Sequence, residues 1–444
     1  MTVRRSFKRL VRARMARTNE SYTTARRHVL AQASLNTVTS ATYPGLLPGY
    51  RGFGGGQHHA SAALAHALDA VGVRAPHTNE PYTEAMLAGL AGGIGFMYAV
   101  FSYAGELPTM TIVARHHPEP FVPAALRRIG TPAESLRTSS ARTAERNLRA
   151  ALAAGKPALC TVDRAGLPWH GLACGERYAD PYDVLVCGLD DEGGEERVLL
   201  DDESVRPWSL PLPEFLAAWA AHRRGRHAML AVVAPEQPVD LAAAVRDAVA
   251  TTCAHLAGPV LGNTFDVNFG FSGMRRLAEQ LADPCGKTGW AVRFADPRAL
   301  FAGVRRLHDC LEVEYTGPGA TRPLYADFLA EAAGVVDDPA YLEAADLFRR
   351  SGDVWSALAA AALPAELPAL AAYDAMVEER LGLLLDGGAA EEIRAVTSRV
   401  DELTDAYAAA PPGEAVLREL LDRLAGLVEQ ATDLERRAVD VLTG

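Results

Sequence analysis

Apolar and polar positions alternate in two different ways along the chain. The front half carries short apolar runs broken by turns, and the rear half carries apolar positions at helical spacing. Phe7, Leu10, Val11 and Met15 fall on one face of a short helix. Thr18-Asn-Glu-Ser21 reads as a break and cap before a second helix from Tyr22 to about Leu30. Residues 33–52, rich in Ser, Thr, Pro and Gly, read as linker and loop. A helix is predicted behind the glycines at 52–56, and another begins at Thr83-Glu84, with Thr83 as its cap and Glu84 as the cap's partner. Helical spacing returns over 121–129 and 143–154. Strands are predicted over 109–114, 157–163, 183–188, 197–202 and 227–234, with an acidic Gly-Gly turn making a hairpin of the third and fourth. Helices followed by antiparallel strands give an α+β class. From Leu367 onward the pattern is helical. The stripe Leu417, Leu420, Leu421, Leu424, Leu427, Val428 and Leu434 is read as a packing or dimerisation face.

Composition narrows this picture. With 444 residues, 49% of them hydrophobic, and a mean hydropathy near zero, the chain is long enough for two or three domains with sizeable cores. Its net charge is −11, yet residues 1–32 hold nine basic side chains against Glu20 alone. The remainder therefore carries −19, which speaks against nucleic acid as a partner of the main body. The basic arm reads as a docked helix pair with a solvated face, or as a clamp for an acidic partner such as a carrier protein or another subunit. Six cysteines without a CxxC pair, and no signal peptide, fit reduced thiols in a cytoplasm. No apolar run reaches the roughly 18 residues of a membrane span.

Candidate chemistry gathers first at Gly52-Phe-Gly-Gly-Gly-Gln57-His58-His59, a glycine loop running into an Ala/Leu helix. A helix start offers unpaired N–H groups and partial positive charge. An imidazole there is expected to be neutral and able to act as base, donor or metal ligand. The plainer reading is an ordinary turn with half-buried cap histidines. Arg115-His116-His117 after a strand, Asp163 at a strand end and His170 after Leu167-Pro-Trp are the other places to look. Cys160, Cys187, Cys253 and Cys310 lie in apolar runs and read as core. His222, His227, His255 and His308 are read as structural and without partners, and Arg223, Arg224 and Arg226 as a solvated loop.

The string from Gly55 through Tyr98, including YTEAMLAGLAGGIGFMY, then Gly155-Lys-Pro, Asp163, Leu167-Pro168 and VLVCGLDDEGGEERVLLDD, resembles the N-terminal domain of the butirosin biosynthesis protein H family over about 44–236. Residues 250–362, with Asn263, Asn268-Phe-Gly270, Arg322-Pro-Leu-Tyr325 and Trp355, are similar to the uncharacterised helical domain that often follows it. The expected division is a basic helical arm and linker over 1–43, the first domain over 44–236 and an all-helical domain over 237–444. The resemblance implies a papain-like, cysteine-peptidase-like fold and transfer of an acyl group from a carrier protein to an amine. In that family a Cys stands at the start of the first helix and a His at the start of the strand before the Gly-Tyr-Asp turn. Here these places hold His59 and Tyr182, with Asp201 as the orienting acid.

Three readings follow. In the first, His59, with His58, Tyr182 and Asp201, is the nucleophile or base, and Gln57, Glu84, Arg115, His116, His117, Asp163 and His170 hold substrate. In the second, His58 or His59 with His116, His117, His170, Glu84 and Asp163 bind a divalent metal. In the third, the fold is an inert relative that binds a peptide, carrier or subunit. The expected partners are an acyl donor, carrier-bound in the family, a small-molecule or peptide amine and a second copy of the chain. Neither nucleic acid nor membrane is expected, and no cofactor beyond that metal.

Overall fold

The computed structural model describes residues 43–444, except 55, 104, 173–179, 222–225 and 236–238. The basic arm, Cys174, His222, Arg223 and Arg224 lie outside the described residues. The chain packs as two compact units that interleave along the sequence. One holds residues 43–84, Gly130–Pro238 and Glu378–Ser398, and the other Ala85–Ile129, Val239–Val377 and Arg399–Gly444.

The first unit begins with helix α1 (His59–Ala70) and ends its first segment with Glu84, the first residue of α2 (Glu84–Leu90). The hairpin β1 (Ile94–Phe101) and β2 (Thr109–Arg115) and helix α3 (Phe121–Arg128) belong to the second unit. The first unit resumes with β3 (Ala133–Leu136), α4 (Ala141–Ala153), β4 (Ala158–Asp163), β5 (Pro181–Glu192), β6 (Glu195–Asp201), β7 (Trp208–Pro211), α5 (Leu212–Ala221) and β8 (Met229–Val232). Its sheet has the order β3-β8-β4-β5-β6-β7, and every pairing is antiparallel. The α+β class expected from the strand pattern is therefore what the chain forms. β5 and β6 make the long hairpin, joined through Gly193 and Gly194, both at positive φ as a tight turn requires.

A bulge in β5 between Val186 and Gly188 shapes the site. There the segment from Gly45 to Leu47 joins the sheet. Leu47 N donates to Cys187 O at 2.9 Å and Leu189 N to Gly45 O at 3.1 Å. A Cβ on Gly188 would lie 2.2 Å from Gly45 O, so only glycine lets this segment approach. The approach sets Tyr50 above the end of β6. Val184, Leu185, Val186, Val198 and Leu200 are fully buried in the sheet, and Cys160 and Cys187 are buried with them, small core residues as their apolar runs suggest.

The second unit packs α6 (Leu241–Ala257), α7 (Gly270–Ala282), α8 (Trp290–Arg293), α9 (Pro297–Glu312), α10 (Arg322–Val336), α11 (Ala340–Ala362), the first part of α12 (Pro368–Asp386), α14 (Arg399–Ala409) and α15 (Glu414–Thr443) with the β1–β2 hairpin. Helix α13 (Ala390–Thr397) belongs to the first unit. The leucine stripe of α15 is spent inside this unit, against α11 and α7. Arg322, fully buried, meets Glu435 of α15 at 2.8 and 3.0 Å and also donates to Ala114 O, Ala320 O and Gly95 O. Ser351 and Trp355 donate to the same carboxylate, so the buried pair is fully hydrogen-bonded, the condition under which such a pair is tolerated.

Candidate functional site

Helix α1 starts at His59 with His58 as its N-cap residue, and its first turn contains no acidic side chain. The missing negative charge comes from Glu84, whose carboxylate accepts Gln57 N at 2.9 Å and His58 N at 2.6 Å. An anion at that end complements the helix dipole. The sequence reading gave Glu84 to its own helix; its carboxylate also serves the start of α1. His58 is buried, with Nδ1 2.9 Å from Ser61 Oγ, which ties it to the helix start.

Two consecutive carboxylates lie beyond this helix start. Asp202 is fully buried. Its Oδ2 accepts Trp169 Nε1–H at 2.7 Å and lies 2.9 Å from His170 Nε2, while its Oδ1 accepts the Tyr182 hydroxyl at 2.7 Å. Burial by itself pushes this carboxyl up. His170 and His59 nearby and the Trp169 bond outweigh burial and hold it well below the ordinary carboxylate value. Burial, then Asp202, pushes the Tyr182 phenol well above 10. Trp169 stacks on Trp208 at 4.9 Å, and Trp208 donates to the Asp202 carbonyl, so the acid is clamped from several sides.

His59 stacks on Tyr182, ring centroids 4.2 Å apart, and its Nδ1 lies 3.0 Å from the phenolic oxygen. Its Nε2 meets the Asp183 carbonyl, which can only accept, so Nε2 carries the proton given there. In the neutral ring Nδ1 then competes with Asp202 for the single Tyr182 proton. Both nitrogens of His59 are engaged by protein, and neither is presented as a free base.

Asp201 faces elsewhere. Its Oδ2 accepts the Tyr50 hydroxyl at 2.5 Å and lies 2.7 Å from His66 Nδ1. His66, seven residues after His59 and so two turns along the same helix, lines a narrow cleft, about 20 Å³, with Gly54, Gly56, His59, Ala62, Ala63, Asp201 and Glu203.

Of the residues expected to act together, Gln57, His58, His59, Glu84, His170, Tyr182 and Asp201 share the first unit around this cleft and network. Asp163 is in that unit too, but its carboxylate holds a turn, accepting Ala165 N at 3.3 Å and Asp180 N at 3.1 Å. Arg115, His116 and His117 belong to the second unit. Arg115 lies over Phe121, and His117 stacks towards Phe269. His116 is buried with its ring 4.2 Å from that of His255, and burial followed by His255 lowers its pKa to about 4. The expectation that His255 and His308 stand without partners is corrected: His255 packs on His116, and His308 Nδ1 lies 3.0 Å from Asp309. His227 Nδ1 likewise lies 3.1 Å from Thr138 O. Among the described residues no group of three His, Cys, Asp or Glu side chains is arranged to hold a metal ion, so the metal reading has no site there.

Sequence reasoning passed over His66, Tyr50 and Asp202. The signals were the seven-residue spacing of His59 and His66 and the doubled acid after β6. Among the described residues no helix is long and apolar enough to cross a membrane.

Residues 58–203 match the family model described as Butirosin biosynthesis protein H, N-terminal, and residues 217–397 match that of a domain of unknown function, DUF4872. A search of curated proteins finds no match to the chain. Residues 58–203 contain the Asp202 network apart from Trp208 and most of the cleft's lining, and this part of the chain is a domain of the butirosin biosynthesis protein H N-terminal family, with a DUF4872 domain following.

Proposed function

We propose that the protein is a papain-like acyltransferase of natural-product or peptide-modifying biosynthesis that passes an acyl group from an activated, carrier-bound donor to an amine without forming an acyl-enzyme. The family name supports the biosynthetic setting. The observation that carries the direct route is the engagement of both His59 nitrogens at the helix start where the fold keeps its thiol. No cysteine is among the residues lining the cleft, and the buried thiols of Cys160 and Cys187 are pushed well above 9 by burial. With no thiol among the described residues of the cleft, the acceptor amine attacks the donor carbonyl itself, and binding both substrates together supplies the rate. His59, held by Tyr182 and the Asp183 carbonyl, then forms part of the cleft wall in place of a nucleophile.

Acyl thioesters of a carrier protein or of coenzyme A, incubated with the protein and a panel of amines, test this by mass spectrometry. Amide product with unmodified protein is expected. An acyl adduct on the protein would overturn the direct route. A second reading, an inert relative that holds a carrier or peptide, is favoured by the closed hydrogen-bond network around Asp202. Binding of the carrier without turnover of any donor would decide for it.

A further inference from the structure

The geometry points to His66, oriented by Asp201 and Tyr50, as the general base that takes the proton from the acceptor amine in the cleft. The inference rests on the acyl-transfer reading above. Asp201 is held by two partners on one oxygen, Tyr50 O–H at 2.5 Å and His66 Nδ1 at 2.7 Å. A carboxylate only accepts, so Nδ1 carries a proton, and in the neutral ring Nε2 is left as the bare lone pair. Nε2 has no hydrogen-bond partner among the described residues, and the ring lines the cleft. Its side chain is one-fifth exposed while that of Asp201 is almost wholly buried, the arrangement of a base that meets solvent or substrate on one edge and its orienting acid on the other.

The glycine loop contributes to this placement. A Cβ on Gly52 would lie 2.4 Å from His66 Cγ, so the loop backbone lies against the ring and fixes its plane. Asp201, at the end of β6, is the nearest charged group, with Glu84 from α2 and Asp69 from α1 also acting on the ring, and Glu203 and His59 sharing the cleft wall. Burial lowers the affinity of this imidazole for its proton, but Asp201, by charge and hydrogen bond, together with Glu84 and Asp69, outweighs it, and the pKa is raised above 6.5.

The step balances without a further reactant. The amine nitrogen forms a bond to the acyl carbon while His66 Nε2 takes its proton. The bond to the leaving group breaks, and the imidazolium returns that proton to the departing group. Asp201 and Tyr50 act through His66 and are positioning residues.

The test measures transfer to an amine and the state of the ring together. In wild-type protein the rate is expected to rise with pH through a midpoint above 6.5. H66Q is expected to lose about 10²–10⁴-fold in turnover. D201N is expected to lose less and to shift that midpoint downward, a shift that loss of packing alone would not produce. Nitrogen-15 spectra of the histidines in the unmodified protein supply a readout that no substitution disturbs. They are expected to place the proton of neutral His66 on Nδ1. Wild-type turnover with H66Q equally active, or a neutral His66 protonated on Nε2, overturns the base and leaves the transfer reading standing. Wild-type protein inert toward every donor overturns the transfer reading and the base with it.

Discussion

Asp201 and Asp202 are neighbours in sequence and opposites in circumstance. Consecutive residues at a strand end point to opposite sides, and here one side is closed and the other opens on a cleft. Asp202 accepts from Trp169 and Tyr182, lies within hydrogen-bond distance of His170, and is fully buried. Asp201 holds Tyr50 and His66, and His66 has one nitrogen left over. The Asp202 cluster is buried and lies outside the cleft's lining, so it fixes geometry and has nothing to offer a substrate there. The Asp201 cluster sets an unmatched imidazole nitrogen in a residue that lines the cleft, where it can do chemistry.

Removing the two acids in turn breaks the comparison most sharply. Asp202→Ala strands buried donors of Trp169 and Tyr182 and the imidazole of His170. It is expected to cost about 3 kcal/mol or more of unfolding free energy in a denaturant titration. Asp201→Ala, which strands the Tyr50 hydroxyl but leaves His66 an edge on the cleft, is expected to cost about 1–2 kcal/mol. Equal losses would mean that the second cluster is as structural as the first.

Glu84→Gln removes the anion from the start of α1, beside both clusters. A loss of about 1–2 kcal/mol in the same titration is expected, because charged acceptors on backbone N–H groups and on the helix dipole are both lost.

Acidity separates the two acids more gently. Asp202 has its pKa lowered in the fold, so its contribution is present above the unfolded value of 3.8 and is lost as pH falls below it. His66 has its pKa raised, so its contribution is fully present below 6.5 and is lost as pH rises through the higher folded value. Unfolding free energies measured across pH are expected to lose the acid-side slope in Asp202→Asn and the neutral-side slope in Asp201→Asn. An unchanged profile in either variant would contradict the assignment of that slope.

Much of the fold was legible in the sequence. The hairpin of β5 and β6 announced itself through an apolar run, an acidic Gly-Gly turn and a second run. The start of α1 was marked by the glycine loop. β3, with the sequence Ala-Glu-Ser-Leu, is mostly exposed and too short to show a period, so it gave no signal. Asp201 was named as the orienting acid, whereas Tyr182 meets Asp202 and Asp201 meets His66: one residue of shift at a strand end exchanges the two faces, and composition is blind to it. His116 and His117 were grouped with His59 as a second double histidine, following a strand, but the hairpin they follow packs with the helices. Glu84 was given to its own helix because capping is usually local, while its bonds to Gln57 and His58 reach back 27 and 26 residues.

The interleaving of the chain has an evolutionary consequence. The first matched region, 58–203, lends β1, β2 and α3 to the helical unit, and the second, 217–397, returns β8 and α13 to the sheet unit. β8 sits between β3 and β4, so a gene severed between the two regions would encode a sheet with its second strand missing and its edge strand unpaired. In this chain it is the sheet, rather than any linker, that ties the two regions together.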